Sequence, residues 1–245
     1  MSTKLPRKAL IAISSFQGAI YPGGHQTGLF FTEALHPFEV LSDAGFEVDL
    51  ASETGTCGID YNSIQPPFLA GSDKAVYCNP KSPFQVKLNS QLKKASDLKG
   101  GDYGVFFASA GHSALYDYPT ATGLQAAAED IWERGGIVGA TCHGPAIMPG
   151  IKDARTGRSI IEGKTVTGFT IEGEMIFAIL DKLRADGVLP IVEAVTAVGA
   201  YYSSPMNAFD DYSISSGRVV TGVNPQSARS SAERCVRLFD NPQSV

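Results

Sequence analysis

The sequence predicts an α/β fold in which helices lie on both faces of a mostly parallel, doubly wound sheet. Three observations predict it. Short apolar runs recur along the chain, as expected for strands that are buried on both faces. Stretches with apolar residues at helical spacing lie between these runs. Strands and helices alternate, which is typical of a parallel sheet.

The first elements predict a strand–helix–strand unit. Residues 9–13 are a compact apolar run and predict the first strand, and residues 28–44 have apolar side chains at helical spacing and predict a helix. Gly45 ends this helix, and residues 46–51 alternate as in a second strand. The loop over residues 14–27 therefore follows the carboxyl end of a strand, where open α/β folds bind ligands.

Residues 53–101 depart from this regular pattern. They are polar, contain several prolines and are long for a connection between a strand and a helix. We interpret them as an inserted cap segment with a short helix near residues 85–95. The whole chain, residues 1–245, is then expected to form one α/β domain with an insert at about 53–101.

The second half of the chain continues the alternation. Residues 103–108 predict a third buried strand that ends in a loop of small residues, and residues 123–134 predict an amphipathic helix. Thr170 can cap a following helix that has acidic residues in its first turn. The other predicted elements are a polar turn or hairpin at 152–163, strands at 137–141, 164–169, 200–202, 212–214 and 218–221, and helices at 171–185, 190–198 and 227–239.

The strand at 137–141 leads to the most informative junction in the sequence. It ends abruptly at Cys142, and Gly144-Pro145 suit a tight turn that opens a helix. This junction is the cysteine form of the nucleophile elbow, in which backbone N–H groups and a helix N-terminus favour the thiolate. A free cysteine is also often a small buried hydrophobe. The position of Cys142 beside His143 favours the nucleophile.

A cysteine nucleophile needs a base and an acid that orients the base. His143 can be the base if the elbow brings its ring to the thiol, and His112 can contact substrate or hold a structural hydrogen bond. Glu33 lies in an apolar stretch; unless it faces solvent, burial raises the pKa of its carboxyl and lets it share a proton with the thiol. Glu172 and Glu174 both follow a strand, and spacing does not choose between them.

Composition argues against several other classes of protein. The formal net charge of -5 and the pI of about 5.4 argue against a nucleic-acid-binding surface, and no apolar run is long enough for a membrane span. The histidines lack ligand spacing and no nucleotide-binding glycine motif is present, so we expect no metal and no cofactor. Four scattered cysteines fit reduced thiols in a cytoplasmic protein; the nucleus stays open as a second location.

Five segments carry recognisable motifs: residues 108–112 (ASAGH), 116–119 (YDYP), 141–145 (TCHGP), 166–170 (VTGFT) and 220–228 (VTGVNPQSA). Together they resemble the Parkinsonism-associated deglycase (PfpI-like) superfamily. The resemblance narrows to the fungal heat-shock protein 31-like branch, which comprises glutathione-independent glyoxalase III enzymes. The segments that narrow it are residues 27–38 (TGLFFTEALHPF), 45–49 (GFEVD) and 52–55 (SETG). The resemblance covers nearly the whole chain in order.

The resemblance implies a flavodoxin-like fold, a homodimer and a Cys–His–Glu triad. Carried over residue by residue, the triad is Cys142, His143 and Glu174, because Glu174 matches the Glu of the family's Thr-x-x-Gly-Glu pattern. Glu33 matches the buried Glu that the family places against the thiol.

The resemblance also implies an activity, the conversion of methylglyoxal and water to D-lactate without glutathione. This is a lyase reaction of the D-lactate dehydratase type, and its substrate is a small α-oxoaldehyde. The Cys142 thiolate would add to the aldehyde, and the backbone N–H groups of Gly111 and His143 would meet the oxyanion. The sequence departs from the family at Ser113, where relatives typically carry Gly, and at Phe209, where some carry Trp, so the substrate range stays open.

Other functions remain alternatives at this point. A holdase chaperone of the stress response would bind unfolded client proteins through exposed apolar surface and would not need Cys142. A protein deglycase or an amidase-like hydrolase would use the same cysteine. A redox sensor would use the ready oxidation of an exposed thiolate.

Overall fold

The computed structural model describes residues 5–242. The strands are β1 (Lys8–Ile13), β2 (Gly18–Ala19), β3 (Gln26–Thr27), β4 (Glu47–Ser52), β5 (Lys93–Lys94), β6 (Val105–Ala108), β7 (Ile137–Thr141), β8 (Thr165–Val166), β9 (Tyr201–Tyr202), β10 (Ser213–Ser216) and β11 (Val219–Gly222). The α-helices are α1 (Phe31–Asp43), α2 (Gly71–Cys78), α3 (Pro83–Ser90), α4 (Ala114–Asp117), α5 (Thr122–Glu133), α6 (Ile171–Ile176), α7 (Leu180–Ala185), α8 (Ile191–Thr196) and α9 (Ala228–Asp240).

The main sheet confirms the predicted fold class. Within residues 5–242 it has seven strands in the order β10-β11-β7-β6-β1-β4-β5, and all neighbours are parallel except β10 and β11. The longer parallel strands, β4-β1-β6-β7-β11, are second, first, third, fourth and fifth along the chain, which is the flavodoxin-like order. The order reverses between β1 and β6. In such folds the ligand lies at the carboxyl ends of the strands beside this reversal.

Both faces of the sheet are covered by apolar side chains. In β1, Ala9, Ile11 and Ile13 belong to a core cluster shared with α1 and α9, whereas Leu10 and Ala12 belong to a second cluster shared with α5. All five are fully buried. A strand that is buried on both faces has a continuous apolar sequence, which is why this one could be recognised.

The segment over residues 53–101 belongs partly to the main sheet. The predicted helix at 85–95 is wrong in its bounds, because α3 begins after Ser82, whose hydroxyl accepts a hydrogen bond from the N–H of Gln85 (3.4 Å). The chain then extends into β5, which pairs with β4 at the edge of the sheet. A strand of only two residues, both lysines, is too short to show an apolar pattern that could have revealed it.

Two predicted elements after β7 differ in form. The predicted strand at 164–169 contains only β8, which pairs with β9 in a separate two-stranded sheet. The predicted helix at 171–185 is two helices, α6 and α7, because Ala178 between them has a φ of 54° that a right-handed helix cannot contain. The predicted cap is confirmed, since the Thr170 hydroxyl accepts a hydrogen bond from the N–H of Gly173 (2.9 Å).

Two expectations from composition can be compared with the structure. All four cysteines are unpaired thiols. In the part of the chain that the structure describes, no helix combines the length and the apolar composition needed to cross a membrane.

A buried carboxylate joins the elements around β4. The oxygens of Asp49 accept hydrogen bonds from Lys87 (3.0 Å), Lys93 (2.7 Å) and the hydroxyl of Tyr103 (3.0 Å), and the ammonium group of Lys8 lies 3.1 Å away. Burial alone would raise the pKa of Asp49, but the three lysines outweigh it and hold the pKa well below its usual range. This one group therefore connects β1, β4, β5 and α3.

We expect Asp49→Ala to lower the free energy of unfolding by about 2 kcal/mol at neutral pH, because it leaves several ammonium groups without their partner. A carboxyl whose pKa is lowered by folding stabilises the protein above its unfolded pKa of about 4, and this stabilisation is lost as the pH falls towards the folded value. The difference between wild type and Asp49→Ala should therefore shrink below about pH 4. Urea unfolding across this pH range measures it.

Glu47→Ala is the matched control. It removes a carboxylate on the same strand that contacts Lys8 (2.7 Å) but is 65% exposed, so we expect a change within about 0.5 kcal/mol. Equal losses in the two variants would show that burial of Asp49 does not matter.

Candidate active site

The predicted elbow is present at the carboxyl end of β7. Cys142 has a φ of 53°, in the left-handed region that residues other than glycine seldom adopt. Its N–H donates to the carbonyl of Gly222 (2.9 Å), and its carbonyl accepts from the N–H of Phe169 (2.9 Å). A Cβ on Gly144 would lie 2.3 Å from the carbonyl oxygen of Ala108, so only glycine fits there. Hydrogen bonds and close packing thus hold the strained residue in place.

The environment of the thiol differs from the prediction in two respects. The helix after the elbow is a 3-10 helix over Gly144–Gly150 rather than an α-helix. Cys142 is 3% exposed, and burial followed by the nearby carboxyl of Glu33 raises the pKa of the thiol. Burial therefore favours the protonated thiol rather than the expected thiolate, and a base must take the proton as the sulfur reacts.

The elbow brings the thiol and the neighbouring imidazole together. The Sγ atom of Cys142 lies 3.2 Å from Nδ1 of His143, and Nε2 of His143 lies 2.9 Å from Oε1 of Glu174. The side chains of His143 and Glu174 are 1% and 0% exposed. Glu174 lies in the first turn of α6, whereas Glu172 is exposed, so the structure distinguishes the two acids that spacing could not.

A second histidine contacts the other oxygen of Glu174. Nε2 of His112 lies 2.9 Å from Oε2 of Glu174, and Nδ1 of His112 lies 2.8 Å from the hydroxyl of Tyr21. This hydroxyl is 2.7 Å from Oδ2 of Asp60, which also accepts from the hydroxyl of Thr27 (2.9 Å). Neither Tyr21 nor Asp60 was predicted as a site residue from the sequence. Tyr21 lies in the loop over residues 14–27, which was expected at the ligand-binding edge, so its position could have indicated a role in the site. Asp60 lies in the irregular segment over residues 53–101, where no sequence pattern indicates one.

The pKa values of Glu174 and His143 both depart from their usual values. Burial alone would raise the pKa of Glu174, but the charges of His143 and His112 outweigh it and lower the pKa to about 2. Burial and then the charge of His112 lower the pKa of His143, against the opposing effect of Glu174. A neutral imidazole 3.2 Å from a thiol is placed to accept its proton.

Glu33 is fully buried in the first turn of α1. Among the described residues, neither of its carboxyl oxygens has a well-aligned hydrogen-bond partner, and the thiol of Cys142 is the neighbour with which it interacts most strongly. Burial, with a smaller contribution from the charge of Asp60, raises the pKa of Glu33 to about 8 although the thiol lowers it. The carboxyl group is therefore protonated at neutral pH and can share that proton with the sulfur.

The N–H groups predicted to bind an oxyanion lie at the same edge. Within residues 5–242, the N–H groups of Gly111 and His143 donate to no backbone acceptor, and the N–H of His143 lowers the pKa of the thiol of Cys142. Gly111 has a φ of 137°, and a Cβ there would lie 2.1 Å from the carbonyl oxygen of Gly28. Only glycine can occupy this position. The oxyanion role itself stays a prediction.

The space above the thiol is small and apolar. Its lining includes Phe30, Phe169 and Phe177, and its free volume is about 10 Å³. The rings of Phe68 and Phe177 stack with their centroids 6.1 Å apart, so the inserted segment also contributes to this aromatic cover. A water-poor pocket strengthens every electrostatic interaction inside it.

The two departures from the family lie behind this pocket. The hydroxyl of Ser113 donates to the carbonyl of Gly28 (2.8 Å), the same carbonyl that approaches Gly111. The ring of Phe209 packs on Phe169 and Phe177, with centroid distances of 6.3 Å and 6.2 Å. Both residues therefore support the lining without forming it.

The fold gathers a group of side chains that sequence spacing did not reveal. In the described part of the chain, atoms of His112, His143 and Glu174 that could bind a metal lie within 4.8 Å of one another. Both Nε2 atoms already lie at hydrogen-bond distance from the carboxylate. This arrangement is accounted for by hydrogen bonds, and we assign no ion to it.

The fold and the elbow cysteine define a class of protein. The structure is similar to a ThiJ/PfpI domain protein from Brachyspira murdochii, with a TM-score of 0.57 over 96% of this chain and 98% of that chain, at 16% identity. At this identity the likeness concerns the fold alone. No family model matches the chain. The chain is thus an α/β protein with the DJ-1/ThiJ/PfpI fold.

Closer relatives identify the family. The chain is 46% identical to glyoxalase 3 of Candida albicans over 95% of this chain and 98% of that protein. It is 45% identical to the glutathione-independent glyoxalase HSP31 of Saccharomyces cerevisiae, over 96% of this chain and 99% of that protein. A crystal structure of glyoxalase III from Candida albicans superimposes with a TM-score of 0.92 over 95% and 97% of the two chains, at 46% identity. The chain belongs to the heat-shock protein 31-like family of glutathione-independent glyoxalases.

The buried carboxyl of Glu33 predicts an unusual dependence of stability on pH. Folding raises the pKa of Glu33 to about 8, whereas a glutamate in the unfolded chain has a pKa of about 4.3. Between these two pH values the folded state holds a proton that the unfolded state has lost. The free energy of unfolding therefore falls as the pH rises through this range. Glu33→Gln cannot titrate. The free energy of unfolding of Glu33→Gln, relative to that of wild type, should therefore increase by roughly 1 kcal/mol for each pH unit from about pH 5 to 8. Urea unfolding at several pH values measures this.

Glu172→Gln is the control, because Glu172 is an exposed carboxyl in α6. Its difference from wild type should not change over the same range. A difference between Glu33→Gln and wild type that is also independent of pH would mean that Glu33 is ionised when buried.

Proposed function

We propose that this protein converts methylglyoxal and water to D-lactate, with a cysteine of the protein in place of the glutathione thiol. The observation that carries the proposal is the contact of Cys142 with His143 at 3.2 Å, in an apolar pocket and beside a protonated Glu33. The chain's place among glutathione-independent glyoxalases supports it. The activity is a lyase reaction of the D-lactate dehydratase type.

The first step forms a carbon–sulfur bond. The sulfur of Cys142 attacks the aldehyde carbon, and the thiol proton passes to Nδ1 of His143. The aldehyde oxygen becomes the oxyanion of a hemithioacetal, which the N–H groups of Gly111 and His143 can bind. Because burial raises the pKa of the thiol, transfer of the proton must accompany the attack.

The second step moves a proton between two carbons. His143 returns the thiol proton to the oxyanion, which becomes a hydroxyl group. The neutral imidazole can then remove the hydrogen from the former aldehyde carbon while Glu33 donates its proton to the adjacent carbonyl oxygen, which gives an enediol. His143 returns the abstracted proton to the adjacent carbon, and the hydroxyl of the sulfur-bearing carbon gives its proton to Glu33, which leaves a thioester. His143 and Glu33 are the groups placed for these transfers. A carboxyl with a pKa of about 8 is close to the working pH, as efficient proton transfer requires.

The last step consumes water. A water molecule adds to the thioester, the carbon–sulfur bond breaks, and lactate leaves with the thiol restored. One molecule of methylglyoxal and one of water thus give one molecule of lactate. No electron acceptor, metal or cofactor enters this balance.

A holdase function is the second candidate, and exposed apolar side chains favour it. Met175 and Ile176 on α6 are 58% and 60% exposed, and Tyr201 and Met206 are 67% and 93% exposed. Such side chains can bind unfolded client proteins or a second copy of the chain. A homodimer, which light scattering would detect, would bury some of this surface. Unpaired thiols fit a cytoplasmic location, which we propose with the nucleus left open.

Cys142→Ala tests the chemistry. We expect it to lower lactate formation from methylglyoxal, without glutathione, by about a thousandfold or more, because the covalent intermediate cannot form. Cys78→Ala is the control, since Cys78 is an exposed thiol of α2, and it should retain full activity. A chiral assay should find D-lactate. Retained turnover in Cys142→Ala would refute the covalent route.

The same pair of variants separates the candidate functions. A holdase should suppress the aggregation of a denatured client equally well in wild type and Cys142→Ala. A deglycase would release lactate from a glycated peptide and lose this activity in Cys142→Ala. Suppression of aggregation without any lactate formation would favour the holdase over the glyoxalase.

A further inference from the structure

One continuous chain of contacts between titratable groups crosses the buried site. The residues in order are Asp60, Tyr21, His112, Glu174, His143 and Cys142. The five contact distances are 2.7, 2.8, 2.9, 2.9 and 3.2 Å. Every member is at least nine-tenths buried, so water cannot replace a missing hydrogen bond. The positions of the protons must therefore follow from the donors and acceptors themselves.

Asp60 determines the direction of the first contact. Its oxygens accept hydrogen bonds from the hydroxyl of Thr27 (2.9 Å) and from the N–H groups of Asn62 (2.8 Å) and Ser63 (3.2 Å). Both oxygens of Asp60 are therefore acceptors in these contacts. A carboxylate only accepts, so the single proton of the Tyr21 hydroxyl points to Asp60.

The direction at Asp60 then determines the state of His112. The oxygen of Tyr21 is left as an acceptor towards Nδ1 of His112, which must carry a hydrogen. Glu174 accepts on the other side, because its pKa is about 2, so Nε2 of His112 must also carry a hydrogen. A neutral His112 would leave two acceptors facing each other at 2.9 Å or less in a buried site, which is costly.

We propose that Asp60 and Tyr21 hold His112 as an imidazolium, and that His112 is a positioning residue that keeps Glu174 ionised and His143 neutral. The catalytic part of this proposal rests on the proposed function, whereas the protonation state of His112 does not. Tyr21 and Asp60 thereby become positioning residues of the same site.

The surroundings of His112 are consistent with a fixed positive charge. Titratable groups face it from both sides: Tyr21 with Asp60 behind it, and Glu174 with His143 beside it. Cys142 and Glu33 lie beyond His143. The ring centroids of His112 and His143 are 4.2 Å apart, so a charge on the first disfavours a charge on the second. A positive charge on His112 therefore explains two features together. Glu174 stays ionised between the two histidines, and His143 stays neutral and able to accept the thiol proton.

Asp60→Asn tests the proposal with little change in shape. The amide nitrogen at the Oδ2 position would donate to Tyr21, whose hydroxyl would then turn its proton towards Nδ1 of His112. His112 would become neutral with no heavy atom removed from the site. Tyr21→Phe reaches the same state by deleting the acceptor, and serves as the second variant if Asp60→Asn does not fold.

The first readout is the nitrogen-15 spectrum of the histidine side chains at about pH 7.5. The chain has four histidines, and His112→Gln assigns the signals of His112. Wild type should show both ring nitrogens of His112 protonated, and Asp60→Asn and Tyr21→Phe should show one. A neutral His112 in wild type, or an unchanged spectrum in both variants, would overturn the proposal whether or not the protein is a glyoxalase.

The second readout is the pH profile of kcat/KM for methylglyoxal. Loss of the charge on His112 raises the pKa of His143, so the acidic limb should move up by about one pH unit in Asp60→Asn. Activity would then fall about tenfold below this limb and return to within about twofold of wild type above it. Tyr116→Phe is the control and should leave the profile unchanged, because the hydroxyl of Tyr116 hydrogen bonds to the exposed Asp186 (2.8 Å) and is not a member of the chain of contacts.

The two readouts separate the proposals from each other. If Asp60→Asn lowers kcat/KM by the same factor at every pH, Asp60 has only a structural role, and the positioning role is overturned. An inactive wild type with the predicted nitrogen-15 spectrum would refute the glyoxalase function and leave the state of His112 intact.

Discussion

The site depends on one buried carboxylate whose two oxygens each face an imidazole nitrogen. Glu174 has no exposed surface, and an ionised carboxyl group is tolerated there only because His143 and His112 both hydrogen bond to it at 2.9 Å. These histidines follow different strands of the sheet, and Glu174 comes from α6. The carboxylate therefore connects three parts of the chain and sets the orientation of the imidazole that contacts the thiol. The rest of the site is arranged around this contact.

The low polarity of the pocket has opposite effects on the groups inside it. Burial raises the pKa of Cys142 and Glu33, so both hold protons that a nucleophile and a base would have to release. The same burial lowers the pKa of His143 and leaves a neutral imidazole 3.2 Å from the sulfur. Attack by the sulfur therefore requires that its proton pass to this imidazole. A buried, protonated thiol is oxidised less readily than an exposed thiolate, which weakens the case for a redox sensor.

Much of the fold could be predicted because it depends on local patterns. The buried strands are continuous apolar runs, the Cys142 elbow is marked by Gly144, and the helix at Thr170 carries its own cap. The exceptions follow from tertiary contacts: β5 is a strand only because it borders β4, and Ala178 interrupts a helix where no proline or glycine announces a break. Spacing could not distinguish Glu172 from Glu174, since they differ in burial rather than in local pattern. The link from Asp60 to His112 through Tyr21 joins residues far apart in sequence and has no local signal.

The residues of the site that were predicted from the sequence and those that were not play different roles. Cys142 and His143 converge because Cys142 has a φ of 53°. Its N–H donates to the carbonyl of Gly222 and its carbonyl accepts from the N–H of Phe169, and these two hydrogen bonds hold the turn against the sheet. The regular core therefore fixes the positions of the sulfur and the imidazole, and the apolar patterns of this core could be recognised in the sequence. Asp60 belongs to the irregular segment at 53–101 and touches none of these atoms, so it can act on them only through charge and proton position. A segment outside the regular pattern can then alter the basicity of His143 while the elbow keeps its geometry.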